Sequence, residues 1–326
     1  VQKQYQFTGC LRVLFRMTDK VAPINNFHDW LVQEFGSRVY KLCLDAGFTC
    51  PNRDGSKAVG GCTFCDVAGS GGAHIESTIG ISAQVRDQIA NSERRYRARK
   101  FIAYFQAFTN TYAPVERLHA VYDAAICDHR IVGLSVGTRA DCVSHEVCEL
   151  LASYRPRVRV WLELGIQTVN QATLDRVNRA ETVEEFHLAC SMAKAAGLDL
   201  VLHIIFGLPG DTAEDCMRSI EFANRHGVSG VKIHNLYVDS RSPIAVDWRK
   251  GLVRLPEFDE YCSLVCDALE RLDPGILVHR LTGHAPSPYH LGPGWALGKP
   301  AAIEKIAAEL RRRGTYQGFR FRNQSC

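Results

Sequence analysis

No segment of the 326-residue chain has the unbroken apolar run of roughly 18 residues that a membrane helix needs. A transmembrane enzyme or channel built on helices is therefore not expected. There is no internal repeat, low-complexity stretch or long linker, which excludes solenoids and leaves one domain with short extensions at both ends. The first twenty residues lack a clear small-residue cleavage site and carry Arg and Lys throughout, so they do not read as a signal peptide. Neither charge sign dominates: 39 Lys and Arg against 35 Asp and Glu leave a net charge of +4. That balance permits contact with nucleic acid without arguing for it. The thirteen cysteines are odd in number and scattered, which excludes the disulfide framework of a small secreted domain. Cys43, Cys127, Cys190, Cys262 and Cys266 sit in apolar runs and read as small buried residues. A reducing, cytoplasmic location is expected.

The chain instead alternates two patterns. Short apolar or β-branched runs at 39–45, 101–106, 131–136, 158–164, 199–206, 230–237 and 276–281 read as strands. Helical stretches are expected near 82–98, 115–128, 144–153, 171–196, 213–226, 256–272 and 299–313. Capping signals stand at Ser82, Ser144 and Asp211, and Gly197 is placed to end a helix. Such alternation predicts an α/β fold with a parallel sheet, and seven units argue for a partial or near-complete parallel (β/α) barrel. The expected division is an N-terminal extension (1–30), a barrel domain (31–285) and a C-terminal helix and tail packed on the barrel (286–326). Chemistry in such barrels sits at the C-terminal strand ends. Polar and Gly-rich wording collects at each of them, from the cysteine loop through "QAFTNTY", "SVGTRAD", "ELGIQT", "FGLPGD" and "HNLYV".

The stretch "GFTCPNRDGSKAVGGCTFCDVAGSGG" (47–72) follows the first expected strand and holds Cys50, Cys62 and Cys65. Three thiolates there have three readings. Zinc favours a Cys-x-x-Cys half-site but wants a fourth protein ligand, such as Cys43 or His74. A redox Cys-x-x-Cys explains neither Cys50 nor the loop. An iron–sulfur cluster takes thiolates as its usual ligands, and three cysteines on four irons would leave one iron open for chemistry. Spacing alone leaves all three standing.

The loop, with an aromatic residue before its last cysteine ("CTFC"), resembles the radical S-adenosylmethionine (SAM) superfamily. "ELGIQTVNQATLDRVNRAET" and "HIIFGLPGDT" resemble segments of the Elongator catalytic subunit and its relatives. "GFTCPNRDG", "GGCTFC", "VHRLTG" and "RGTYQG" resemble the YhcC/YtqA (MnmL)-like family. The resemblance covers about residues 30–318 and implies a radical SAM barrel. In it Cys50, Cys62 and Cys65 ligate a [4Fe-4S] cluster whose fourth iron holds SAM. Reductive cleavage of SAM then yields a 5′-deoxyadenosyl radical that abstracts hydrogen, while the protein positions it and excludes water.

The resemblance also locates candidate contacts. Phe64, with Gly207 and Leu208 of the "GLPG" turn, would lie near the adenine. Gln106 and Thr109 would lie near the methionine amino group, where many members carry Gly-Gly-Glu. Ser135, Thr138 and Arg139 would lie near the ribose and carboxylate, Arg139 being the natural carboxylate partner. Glu163 and Gln167 could contact ribose or substrate, or make a buried structural hydrogen bond. The glycines at 60, 61, 69, 71 and 72 would let backbone approach the cluster. His203, His234 and His279 are expected on inner strands, as core residues or functional ones, and Tyr237 more as a core aromatic than as a radical relay. "RRR" at 311–313 reads as a helix end.

For substrate, the resemblance implies tRNA wobble uridine, with a 5-carboxymethylaminomethyl group converted to 5-aminomethyl. The base would be splayed out of the anticodon loop. Arg280, Lys232 and Arg53 are the candidates for the substrate carboxylate. A flavodoxin- or ferredoxin-type electron donor is expected, and no membrane partner. Departures stand at Glu181 ("NRAE" where relatives tend to read "NRGH") and His284. Two further hypotheses stay in view: a radical enzyme for a small molecule or peptide, and a non-catalytic zinc or iron–sulfur protein.

Overall fold

The protein is described by a computed structural model covering residues 23–67, 69, 79–286 and 288–322. Gly71, Gly72, His74 and the first twenty residues lie outside the described residues. The strands are β1 (Val39–Leu44), β2 (Lys100–Phe105), β3 (Ile131–Thr138), β4 (Arg159–Gln167), β5 (Asp199–Phe206), β6 (Gly230–Asn235), β7 (Val238–Asp239), β8 (Leu277–Arg280) and β9 (His290–Gly292). Seven of them form one parallel sheet in the order β1-β2-β3-β4-β5-β6-β8. Strictly sequential parallel pairing, with a helix crossing between most neighbours, curls the sheet through 214° into a half-barrel. The partial barrel expected from the strand–helix alternation is the architecture found. β7 and β9 add a small antiparallel pair beside it.

Strand alternation assigns the two faces of the sheet. One face packs the main core against the helices: Leu42 and Leu44 of β1, Phe101, Ala103 and Phe105 of β2, and Leu162 and Leu164 of β4 belong to it. The other face lines the lumen in layers. The lowest layer is apolar and contains Ile102, Trp161, Val201 and Leu277. Gly133 belongs to the same level, where a Cβ would meet the Trp161 indole at 2.5 Å.

Helix Phe27–Phe35 closes that floor. Asn26 caps it by accepting from the Asp29 N–H, and Gly36 ends it in a left-handed conformation. Phe27 stacks on the His279 imidazole at 3.7 Å and meets Trp161 edge-on at 5.5 Å. Asn26 also pairs in parallel with Val278 of β8. The expected boundary at residue 30 thus falls inside the helix that plugs the barrel. Phe27→Ala should cost about 3 kcal/mol of unfolding free energy, as a buried aromatic does. Urea denaturation checks this, and a loss under 1 kcal/mol would make the helix a mere appendage.

Three helix expectations need correction. Helix Ile81–Tyr96 starts after Gly80 with no side-chain cap, so Ser82 lies inside it. Thr212 rather than Asp211 caps helix Ala213–His226, in a capping box with Asp215. The stretch 171–196 is two helices, Gln171–Arg176 and Val183–Ala195. Asn178 and Ala180, with φ of 52° and 51°, break it, and a Thr182/Glu185 capping box restarts it. Cys190, Cys262 and Cys266 are buried as expected, but Cys43 and Cys127 are exposed. Cys43 shares a face of β1 with Lys41.

Candidate functional site

Above the apolar floor lies a polar layer centred on Glu163 of β4, itself buried. Ser135 of β3 donates to its Oε1 at 2.6 Å, and His203 of β5 donates from Nε2 to its Oε2 at 2.6 Å. Lys232 of β6 pairs with Oε2, and Lys41 of β1 approaches Oε1 at 3.5 Å. The Lys232 ammonium also donates to the Tyr104 hydroxyl at 2.8 Å. Burial pushes the Glu163 carboxyl up, but Lys232 and then Lys41 outweigh it and hold it well below the usual carboxylate range. Five strands are thereby tied together under one carboxylate.

His203 faces the opposite pressure. Burial first, then the Lys232 charge, push its imidazole down to about 4 despite the pull of Glu163. The ring is neutral at pH 7, with Nε2–H bound to Glu163 and Nδ1 left as an acceptor. An unfolded histidine takes its proton near 6.5, so lowering the pH from 6.5 towards 4 stabilises the unfolded chain first. This contribution to stability is complete above pH 6.5 and is lost as the pH falls through that window. Between pH 7 and 4.5 the wild type should lose about 2 kcal/mol more than His203→Gln. Parallel slopes in urea titrations at the two pH values would contradict this assignment.

The third layer opens into a cavity of about 330 Å³ at the C-terminal strand ends. Cys50, Cys62 and Cys65 all border it, and none is in a disulfide. Cys62 is the buried one, and two N–H groups point at its sulfur. Asn52 Nδ2 and Arg179 NH1 each stand 3.5 Å from Sγ. Arg179 reaches the loop because the left-handed residues 178 and 180 turn the chain back between the two helices. Its NH2 meets the Gly165 carbonyl at 2.5 Å and Glu181 Oε2 at 2.6 Å. Glu181 in turn accepts the backbone N–H of Ala140 at 2.7 Å. Arg139 grips Asp141 through Nε and NH2, both at 2.9 Å, and Asp141 also meets Lys57 at 2.9 Å. The acid at 181 thus sits between two buried guanidiniums, whose pull opposes the burial that pushes its carboxyl up.

The structure brings Phe64, Gln106, Thr109, Thr138 and Gln167 to the same cavity as the three cysteines. Thr109 is fully buried and its Oγ1 has no hydrogen-bond partner. Gln167 is held at φ 67°, outside the ordinary range for a side-chain-bearing residue. Phe64 leans on the small apolar cluster that contains Leu208 and Leu236.

Other expected contacts are displaced. Arg139 borders the cavity, but four of its five N–H donors are taken by Asp141, Arg179 and Ala180 carbonyls included, so it is not a free carboxylate partner. Ser135 turns its hydroxyl to Glu163 in the layer below. Gly207 and Leu208 do not border the cavity. A Cβ at Gly207 would strike the Pro256 ring at 2.5 Å, and Leu208 is buried in the apolar cluster. Lys232 is committed to Glu163 and Tyr104, and Arg53 gives its NH2 to the Asp66 carbonyl and covers Phe108. His203 and His234 border the cavity, whereas His279 lies in the floor. Glycine is required at 69, where φ is 73° and a Cβ would meet the Phe108 nitrogen at 2.7 Å; at 60 the turn conformation, not a close approach, requires it. Asn52 and Arg179 escape the sequence reading. The Thr182-x-x-Glu185 signal could have exposed the break that delivers Arg179.

The donor set suits an iron–sulfur cluster. Cys50, Cys62 and Cys65 line one cavity, and thiolates are the usual ligands of such a cluster. N–H groups aimed at a cysteine sulfur are the contacts that tune such clusters. The unpartnered Thr109 hydroxyl adds a buried polar atom that a ligand in the cavity can satisfy.

Comparison with known proteins agrees with the site. The model of the radical SAM superfamily matches residues 50–223, and the radical SAM C-terminal domain matches 228–312. The chain is 38% identical over 301 residues to the uncharacterized protein YtqA of Bacillus subtilis, covering 92% of this chain and 93% of that protein. It is 36% identical over 292 residues to protein YhcC of Escherichia coli strain K12, covering 89% and 93%. A 28% identity over 167 residues links it to mouse Elongator complex protein 3, covering 49% of this chain and 29% of that one. The fold is shared with the solved Elp3 of Methanocaldococcus infernus, at a TM-score of 0.64 and 17% identity, over 86% of this chain and 64% of that chain.

Proposed function

The chain belongs to the radical SAM superfamily, whose members bind a [4Fe-4S] cluster and SAM, and from that premise we propose a tRNA-modifying enzyme acting on wobble uridine. The reading assigns Cys50, Cys62 and Cys65 to the cluster, with Asn52 and Arg179 tuning Cys62. Phe64, Gln106, Thr109 and Gln167 are assigned to the nucleoside and amino-acid parts of SAM. The cluster and SAM supply, when bound, a radical able to abstract hydrogen. The chain's own residues do the rest. The polar layer under Glu163 holds the floor of the cavity rigid and closed to water from below. His203 offers a neutral acceptor nitrogen to whatever lies above it.

The substrate in this reading is uridine carrying a 5-carboxymethylaminomethyl group. Loss of one hydrogen atom from the CH₂ beside the carboxylate, then of one electron and one proton, gives an imine. Water cleaves the imine to the 5-aminomethyl group and a two-carbon aldehyde acid. The electron passes to a one-electron carrier of the iron–sulfur or flavin class, and a flavodoxin- or ferredoxin-type protein is the proposed donor for the initial reduction. The carrying observation is an open, cation-bearing cavity above the cysteines, with Arg280 on its wall. A relative supports the RNA direction: an archaeal tRNA uridine(34) acetyltransferase, 35% identical over 88 residues. The test is nucleoside mass analysis of tRNA before and after anaerobic reaction. Conversion of the carboxymethylaminomethyl nucleoside to the aminomethyl one supports the reading. Unchanged nucleosides beside continued SAM cleavage would move the substrate to a small molecule or peptide.

A further inference from the structure

Most cations around the lumen already have a partner. Lys41 and Lys232 face Glu163, Arg139 holds Asp141, Arg179 holds Glu181, and Arg241 holds Asp66 and Asp239. Two differ. Arg280 ends β8 and Lys299 begins helix Lys299–Arg313, and both border the cavity. Neither has an ion pair or a hydrogen bond from its side chain among the described residues. His284 borders the same cavity, and its Nδ1 is buried without a partner. His234 also borders it, with Nε2 in the same condition.

These groups feel one another. Burial first, then Arg280, push the Lys299 ammonium down. Burial first, then Lys299, His290 and Arg280, push the His284 imidazole down. Like charges crowded at a cavity wall, with no acid among them, are a cost that an entering anion removes. The two carboxylates that border the cavity, Glu163 and Asp66, are already paired.

We propose that Arg280, Lys299 and His284 form an anion-binding subsite that takes an anionic oxygen group of the substrate, a carboxylate or a phosphate. Arg280 supplies the planar fork that such oxygens accept. Lys299 supplies a point charge, and neutral His284 one donor or acceptor. That the anion is the substituent's carboxylate rests on the wobble-uridine reading. The subsite itself does not.

Two arms keep the claims apart, both on the full chain reconstituted with iron and sulfide. The first measures melting temperature with acetate or inorganic phosphate against chloride at equal ionic strength. At least one anion should raise the wild-type melting temperature by about 2 °C at roughly ten times its dissociation constant. Arg280→Met and Lys299→Met should each lose the shift, and Arg280→Lys should keep part of it. Which anion acts identifies the source. No shift in wild type, or equal shifts in the Met variants, overturns the subsite whatever the second arm gives. The second arm compares binding of synthetic anticodon stem-loops whose wobble uridine carries the carboxymethylaminomethyl group or its neutral carboxamide. The carboxylate should bind about tenfold tighter, and Arg280→Met should bring the ratio near one. A positive first arm with equal stem-loop affinities would keep the subsite and end its assignment to the substituent's carboxylate, while the nucleoside analysis of reacted tRNA decides the wobble-uridine reading separately.

Discussion

Cys62→Ala should abolish 5′-deoxyadenosine formation, and the reconstituted variant should hold little iron. The expected loss exceeds about a thousandfold, because removing a ligand removes the cofactor that carries the chemistry rather than one contact to it. Cys62 is the buried member of the three and the one that Asn52 and Arg179 address. Without its sulfur those two donors lose an acceptor, so the loop loses more than a ligand. Cys190→Ala is the control. Cys190 is equally buried but belongs to helix Val183–Ala195 in the main core. Its loss should lower stability by a core-packing amount, about 1 kcal/mol, and leave iron content intact. Iron and sulfide analysis on both variants decides it. Full iron in Cys62→Ala would remove that residue from the cluster.

Glu181→Ala should destabilise the protein by about 3–5 kcal/mol. Its side chain is fully buried between Arg179 at 2.6 Å and Arg139 at 3.6 Å, and it takes the Ala140 N–H as well. The deletion leaves two guanidiniums in a dry site with only Asp141 to answer them. Glu181→Gln keeps an acceptor for Ala140 and should recover part of the loss. Because Arg179 also touches Cys62, the variant should lose iron more readily than wild type during gel filtration. Urea denaturation gives the first number and iron retention the second. A cost under 1 kcal/mol would show that the four-charge cluster is not holding the loop.

The strand ladder was legible because each run carries its own period. Glu163 inside "VRVWLELG" and His203 inside "DLVLHIIF" already marked the lumen face, since alternation sends every second residue inward. The cysteine loop was legible as a motif, and the structure places all three thiols on one cavity. What escaped was long-range. Arg179 and Cys62 are 117 residues apart, and no local pattern announces that a broken helix returns one to the other. Arg139 is expected to meet the SAM carboxylate, whereas Asp141, two residues on, occupies its Nε and NH2. Gly207 read as a ligand contact, although its left-handed turn serves the approach of Pro256 from a distant loop. Helix Phe27–Phe35 had a readable cap at Asn26, but its destination, the floor of the barrel, depends on Trp161 and His279.

The most direct test is anaerobic 5′-deoxyadenosine formation by the reconstituted, dithionite-reduced protein, with and without tRNA bearing the carboxymethylaminomethyl wobble base. The account predicts a low rate alone, a rise on adding that tRNA, and none with Cys62→Ala. An equal rate with and without the RNA would contradict the substrate, and no cleavage in any condition would contradict the radical chemistry itself.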